Sequence, residues 1–202
     1  MPGPDLHLER EAHARGRLRV AGVDEVGRGP WAGPVTAAAV ILVRDAPPGV
    51  DDSKRVGRAR REALEPMIRA ASLSGVGEAS VAEIDALGIV AATALAMRRA
   101  VAALPEPPDH LLVDGRYLPP GLPCEARAVI RGDGLSLSVA AASVLAKTWR
   151  DRGMVALAQQ HPGYGWERNA GYGTREHRVA LGQLGVTQHH RRSFAPIRNM
   201  LC

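Results

Sequence analysis

The sequence has almost no cysteine: Cys124 and Cys202 are the only two in 202 residues. Two cysteines do not make a disulfide framework, and such sparing use fits a reducing cytosol, so a cytoplasmic protein is expected. The opening stretch MPGPDLHLEREAHARGRLR lacks the apolar segment of a secretory signal. The longest apolar run, Val35 to Val43, contains Thr36 and is far too short to span a bilayer, so no membrane partner is expected. Aromatic residues make up only 3 %, yet hydrophobic residues reach 46 %, mostly Ala, Val and Leu, which excludes a disordered chain. Neither an internal repeat nor a low-complexity segment is present. The length fits one domain with a sizeable core, and a monomer is the expectation. Acidic residues are outnumbered: 26 Lys and Arg against 21 Asp and Glu give a net charge of +5. That balance suits a polyanionic partner without specifying any chemistry.

The chain divides into an N-terminal arm (1–17), a core (18–160) and a C-terminal extension (161–202). The arm is polar and reads as a short arm or one helical turn. Leu18 to Val23 reads as a buried strand ending at Asp24. The glycine-rich turn GRGPWAGP leads to a second strand, Val35–Val43, closed by Asp45, Pro47 and Pro48. Ser53 is placed to cap a helix through Arg58, Arg60, Arg61, Leu64, Met67 and Ile68. Residues 72–80 form a third strand. Val81 to Leu104 has helical spacing, broken near Gly88 and stopped by Pro105. His110–Val113 and Ala126–Ile130 are short strands, leading to Asp114 and Asp133. Leu137 to Gln160 reads as one long helix, and the rest as loop and short helix. The expected fold is α/β, with three antiparallel strands first and later strands joined by helical crossovers.

Four acids fall at expected strand ends: Asp24, Glu25, Asp114 and Asp133. One aspartate there is usually a turn residue. Several carboxylates converging at one sheet edge repel one another, so they need protons or cations to neutralise them. Hard divalent ions such as Mg²⁺ and Mn²⁺ prefer such oxygens. The segment VDEVGRGPWAGP (23–34) follows two of these acids at once with Gly27-Arg28-Gly29. The glycines allow close backbone approach to a phosphate or sugar, and the arginine adds charge. The spacing is not that of a dinucleotide-binding loop, and no Gly-Lys-Ser/Thr comes after it to make a P-loop.

The stretch GVDEVGRGPWAGPV resembles the opening signature of ribonuclease HII. The match continues through Asp52-Ser53-Lys54, Ile84-Asp85, Leu112-Val113-Asp114-Gly115, Gly132-Asp133 and Ser138 to AAASVLAKTWRD (140–151). It closes with Gly171-Tyr172-Gly173-Thr174, His177, His190-Arg191 and Ser193-Phe194. The resemblance implies the ribonuclease H-like fold, a mixed five-stranded sheet flanked by helices with a C-terminal helical extension. It implies that Asp24, Glu25, Asp114 and Asp133 hold two Mg²⁺ or Mn²⁺ ions. It also implies that Gly27, Arg28, Gly29 and Tyr172 sense a ribose 2′-hydroxyl, in RNA–DNA hybrids and in DNA containing ribonucleotides. The implied reaction is cleavage 5′ of a ribonucleotide, leaving 3′-hydroxyl and 5′-phosphate. Two departures stand out. Asn169-Ala170 replaces a frequent His-Lys, and Arg116 replaces a frequent Asn; the phosphate contact of the absent lysine then falls to Arg116 or Arg168.

Further substrate contacts are expected from Ser53, Lys54, Ser143 and Lys147. Ser143 and Lys147 share a helix face and read as packing or positioning groups rather than a nucleophile pair. His177, His189 and His190 lack cysteine partners, so surface or phosphate contact is expected rather than zinc. A basic face of Arg28, Lys54, Arg58, Arg175 and Arg191 is expected, with Asp151 paired to a neighbouring arginine. Trp149 and Trp166 read as core or rim. Two alternatives are the related ribonuclease HIII and a non-catalytic nucleic-acid-binding module. The Gly-Arg-Gly turn disfavours the first, and the four intact carboxylates disfavour the second.

Overall fold

The computed structural model describes residues 3–201, so Cys202 and the first two residues of the arm lie outside it. Its centre is a five-stranded sheet in the order β3-β2-β1-β4-β5. The strands are β1 (Val20–Val26), β2 (Val35–Leu42), β3 (Ser72–Ala79), β4 (His110–Asp114) and β5 (Glu125–Val129). β1, β2 and β3 are antiparallel neighbours, whereas β4 lies parallel to β1 and β5 parallel to β4. The sheet is therefore mixed, as expected.

Helices cover both faces, which explains why β1 and β2 are apolar along nearly their whole length. On one face Ala21, Val23, Ala37, Ala39, Leu111 and Val113 pack against α4 (Ile89–Ala102). On the other, Ala38 and Val40 meet α2 (Arg58–Ala71) and the long α5 (Leu137–Gln160). α5 lies so close to β1 that a Cβ on Gly22 would fall 2.2 Å from the Ser138 carbonyl carbon, so only glycine fits there. α3 (Val81–Leu87) is separated from α4 by Gly88 at φ +78°, where the break was expected. The extension folds as α6 (Trp166–Asn169), α7 (Arg175–Leu184) and α8 (Ala195–Arg198).

Three local expectations need correction. The arm carries α1 (His7–Ala14), two full turns rather than one. It is held by buried Glu9, whose Oε1 accepts hydrogen bonds from both Ser136 and Ser138 hydroxyls and from the Ser138 amide. Ser53 does not cap α2; Gly57 occupies that position, and no side chain bonds there. Asp24 and Glu25 lie within β1, opposite Ala38 and Ala37, rather than after it, because β2 extends the pairing to Thr36.

Candidate active site

Asp24, Glu25 and Asp114 each offer a carboxylate oxygen, and these three atoms lie within 4.8 Å of one another. β1 and β4 run parallel side by side and so carry the three acids to one sheet edge. Asp114 is the last residue of β4, and its Oδ1 accepts the Gly132 amide at 2.6 Å. That bond ties the cluster to the 3-10 turn Gly132–Gly134, which holds Asp133. Asp133 stands beside the three and adds to the repulsion on Asp24 and Asp114. Lys54 Nζ reaches Asp133 Oδ2 at 3.2 Å.

The electrostatics arise from this crowding. Burial, then Glu25, Asp114 and Asp133, push the Asp24 carboxyl well above its ordinary range. Burial raises Glu25 as well, against the pull of Arg28, whose Nη1 is 3.5 Å from Glu25 Oε1. Asp114 is raised chiefly by burial, despite its Gly132 hydrogen bond. Burial opposes the Lys54 charge, but Asp133 and Asp52 outweigh it and the ammonium is favoured. A buried set of hard oxygen donors, destabilised by mutual repulsion, is what a divalent cation relieves.

The Gly27–Pro34 loop between β1 and β2 leaves the cluster directly, and two buried arginines hold it. Arg191 donates to the carbonyls of Gly33, Arg28, Gly27 and Pro34 at 2.6–3.1 Å. Arg150, on α5, donates to Pro34, Ala32 and Ala170. Gly27 has φ +91°, and a Cβ there would lie 2.2 Å from Arg150 Nε, so both conformation and space demand glycine. Burial and Arg150 bring the Arg191 pKa down to about 9, still above neutrality, so the guanidinium remains charged. The basic face therefore loses Arg191, which is fully buried because the loop's carbonyls, rather than phosphates, take its donors.

The same grip brings the Gly171–Gly173 turn alongside the Gly27–Gly29 turn. Trp31 donates its amide to the Gly171 carbonyl at 2.8 Å, and Arg191 donates its amide to the Trp31 carbonyl at 2.8 Å. A Cβ placed on Gly29 would stand 3.3 Å from the Tyr172 ring, so these two residues are neighbours. Tyr172 keeps 45 % of its surface exposed. Asn169, which replaces the frequent His, braces this turn: its Oδ1 accepts the Gly171 amide, and its Nδ2 donates to the Tyr164 carbonyl.

Of His177, His189 and His190, only His189 keeps part of its surface exposed; the other two make no surface contact. His177 and His190 are fully buried, among Tyr164, Trp166 and Trp31, because their ring nitrogens find partners inside the fold. The Thr187 amide donates to His190 Nδ1, so neutral His190 carries its proton on Nε2 and donates to His177 Nε2 at 3.0 Å. The proton of His177 is then on Nδ1, 3.0 Å from the Tyr172 carbonyl. Burial, then His177, lowers His190 to about 4, and burial lowers His177 too. Trp166 is core and Trp149 is at the rim.

The remaining residues divide by accessibility. Ser143 is buried; its hydroxyl donates to the Ala140 carbonyl and accepts the Ser53 amide. It thus bears on the site through the Ser53 backbone. Lys147 is taken up by Asp151 at 2.7 Å, and Arg61 also bonds Asp151. Lys54, by contrast, is exposed next to Asp133. Arg168 is engaged by Glu167 and Glu176, which leaves Arg116 as the unpartnered arginine of that pair among the described residues. Sequence reasoning gave Arg150 no role of its own, although it lies in the matched segment 140–151. Locally it stands among Lys147, Asp151 and Arg152, so it reads as one more solvated charge of α5.

A mixed β3-β2-β1-β4-β5 sheet whose central parallel pair presents a carboxylate cluster defines a nuclease of the ribonuclease H class. The family model for Ribonuclease HII matches residues 21–197. A Ribonuclease HII from Ruegeria pomeroyi is 61 % identical over 202 residues, covering 100 % of this chain and 86 % of the relative. One from Jannaschia is 58 % identical, covering 99 % of each. The crystal structure of the ribonuclease H2 from Pyrococcus horikoshii superposes with a TM-score of 0.74 at 26 % identity, over 91 % of this chain and 97 % of that one. The chain belongs to the ribonuclease HII family and is a nuclease, a hydrolase. Membership also decides against the ribonuclease HIII and non-catalytic readings. Among the described residues, no helix is long and apolar enough to cross a membrane.

Proposed function

We propose that the protein cuts the RNA strand of RNA–DNA hybrids and cuts 5′ of single ribonucleotides embedded in DNA, leaving a 3′-hydroxyl and a 5′-phosphate, as a step in ribonucleotide removal. The observation that carries this reading is the juxtaposition of the acidic cluster with Gly29 and Tyr172. Asp24, Glu25, Asp114 and Asp133 would hold two Mg²⁺ or Mn²⁺ ions, which when bound activate water and stabilise the leaving oxygen. The protein's own part is placement. Residues 18–160 supply the carboxylates and residues 161–202 the recognition turn. The backbone of Gly27–Gly29 and the Tyr172 ring enclose a sugar, and the 2′-hydroxyl is the handle that separates ribose from deoxyribose. Arg28, Lys54, Arg58 and Arg175 meet phosphates.

A site built around a hydroxyl rejects the analogue lacking it, because its polar groups are left unpaired. Tyr172→Ala is therefore expected to lower kcat/KM at a lone ribonucleotide on the order of 10²-fold, from about 2–3 kcal/mol of lost contact. A continuous hybrid offers neighbouring hydroxyls and should suffer far less. Tyr172→Phe separates ring packing from hydroxyl chemistry. The measurement is the ratio of kcat/KM on the two substrates, and an unchanged ratio in Tyr172→Ala would leave Tyr172 as packing only.

Binding should also depend on salt. Four phosphate contacts give a slope of about −3.6 in log K against log salt, or on the order of 10²-fold weaker binding from about 50 to 200 mM. Titration with a labelled hybrid in Ca²⁺ tests this. A flat salt response would remove the phosphate contacts.

A further inference from the structure

Beside the carboxylate cluster runs a groove of about 250 Å³, bordered by Glu25, Arg28, Val90, Asp114, Arg116 and Tyr117. Its outer wall has no evident part in folding. Tyr117 is 86 % exposed, more than any other large hydrophobic side chain among the described residues, and Val90 opposite is 71 % exposed. Neither is needed for the core, and together they leave an apolar strip facing solvent at the catalytic edge. Arg116 is exposed and has no acidic partner among the described residues, although acids stand close by in the cluster.

The loop that carries these side chains is stiff. Gly115, at φ +110°, turns the chain immediately after Asp114, and Pro119-Pro120 restrict the backbone beyond Leu118. Arg98 of α4 donates to the Pro120 carbonyl at 3.1 Å and fixes the loop to the helix that carries Val90. Tyr117 is thus presented in the open by a braced loop, directly downstream of a metal-ligand candidate.

Resting on the function proposed above, we infer that this groove is a further substrate subsite, which takes the nucleic-acid strand where it leaves the carboxylate cluster on the Asp114 side. The volume is below the 300–1,000 Å³ typical of pockets that enclose a small molecule. A strand passing through needs only a shallow channel open at both ends. The chemistry matches that occupant: an aromatic face for a base or sugar, and a guanidinium on each side, Arg28 and Arg116, for backbone phosphates. Continuity matters most, since Glu25, Arg28 and Asp114 border the groove and the proposed catalytic site alike. A strand held by that site has this channel as its neighbour. The departure at Arg116 gains a role here, because an arginine meets a phosphate where an asparagine carries no charge.

The test uses the full chain with Tyr117→Ala, Arg116→Gln and the double variant. Substrates are duplexes with one ribonucleotide, shortened a nucleotide at a time from either end. Because both residues are exposed, melting temperatures should match the parent protein. On long duplexes Tyr117→Ala should raise KM about tenfold, with kcat falling less. Arg116→Gln should reduce the salt slope by about one. Shortening the duplex from one end only should abolish the difference between variants and parent, because the groove is then empty. Variants that cut and bind every length like the parent would overturn the subsite. So would a defect that persists at every length, which would assign Tyr117 and Arg116 to the catalytic centre itself. If the parent protein cuts none of these duplexes, the proposed function falls, and the subsite with it.

Discussion

Asp24→Asn or Asp114→Asn is expected to abolish divalent-ion-dependent cleavage and, in the absence of metal, to make the protein more stable. The first effect should be at least about 10³-fold, since removing an ion's contribution costs several kcal/mol of transition-state stabilisation. The second stems from the raised carboxyls of Asp24, Glu25 and Asp114. A carboxyl whose folded pKa lies above its unfolded value of about 4 contributes its stability below that value and loses it as pH rises through the folded one. The metal-free protein should thus lose this contribution as pH rises above about 4 and through the raised folded values, and Mg²⁺ or Mn²⁺ should restore it. At neutral pH each Asn variant should melt about 2–4 °C higher than the metal-free parent, for roughly 1 kcal/mol of relieved repulsion and desolvation. That gain should shrink as pH falls toward 4. Thermal melts with chelator and with added ion, beside cleavage assays, check both arms. Near-normal turnover of either variant in Mg²⁺ and Mn²⁺ would disprove the metal assignment.

Arg191→Met should destabilise the fold more than the substitutions at Asp24, Asp114, Arg116, Tyr117 or Tyr172. It removes four hydrogen bonds to buried carbonyls of the Gly27–Pro34 loop. Buried acceptors left without partners cost about 1–3 kcal/mol each, and partial hydration makes a total of about 3–5 kcal/mol reasonable. The melting temperature should fall by roughly 10 °C or more. Arg191→Lys, which keeps the charge but not the fork of donors, should fall between. The salt slope of substrate binding should not change in Arg191→Lys, because the side chain lies beneath the loop and reaches no phosphate. A melt within about 2 °C of the parent protein, less than roughly 1 kcal/mol, would show that the carbonyls find other donors.

Much of the scaffold was legible because glycine and proline punctuate uninterrupted aliphatic runs. The boundaries of α5 and the break at Gly88 agree with the sequence reading. The short β4 and β5 were legible as well, to within about a residue or two. What escaped were residues whose environment comes from distant segments. A buried Glu9 depends on two serines more than 120 residues away. Charged and imidazole side chains near residue 190 read as surface by default. Their burial requires the carbonyls of residues 27–34 and the ring of Trp166 to converge on them, and no local pattern announces that. Asp24 and Glu25 read as post-strand residues because the start of β2, which pairs with them, comes only after a glycine-rich loop.

The dependence of the Gly27–Pro34 loop on Arg191 separates two inventories along the chain. All four carboxylates are synthesised by residue 133, but the arginine that shapes the turn beside them comes 58 residues later, and it is tethered further by Asp85, which accepts the Arg192 and Ser193 amides. An unfinished or proteolytically clipped chain lacking that segment would hold every acid and still lack the donors that shape the Gly27–Pro34 loop. Such a fragment is expected to cut poorly, because the loop beside its acids is held from near the other end of the chain.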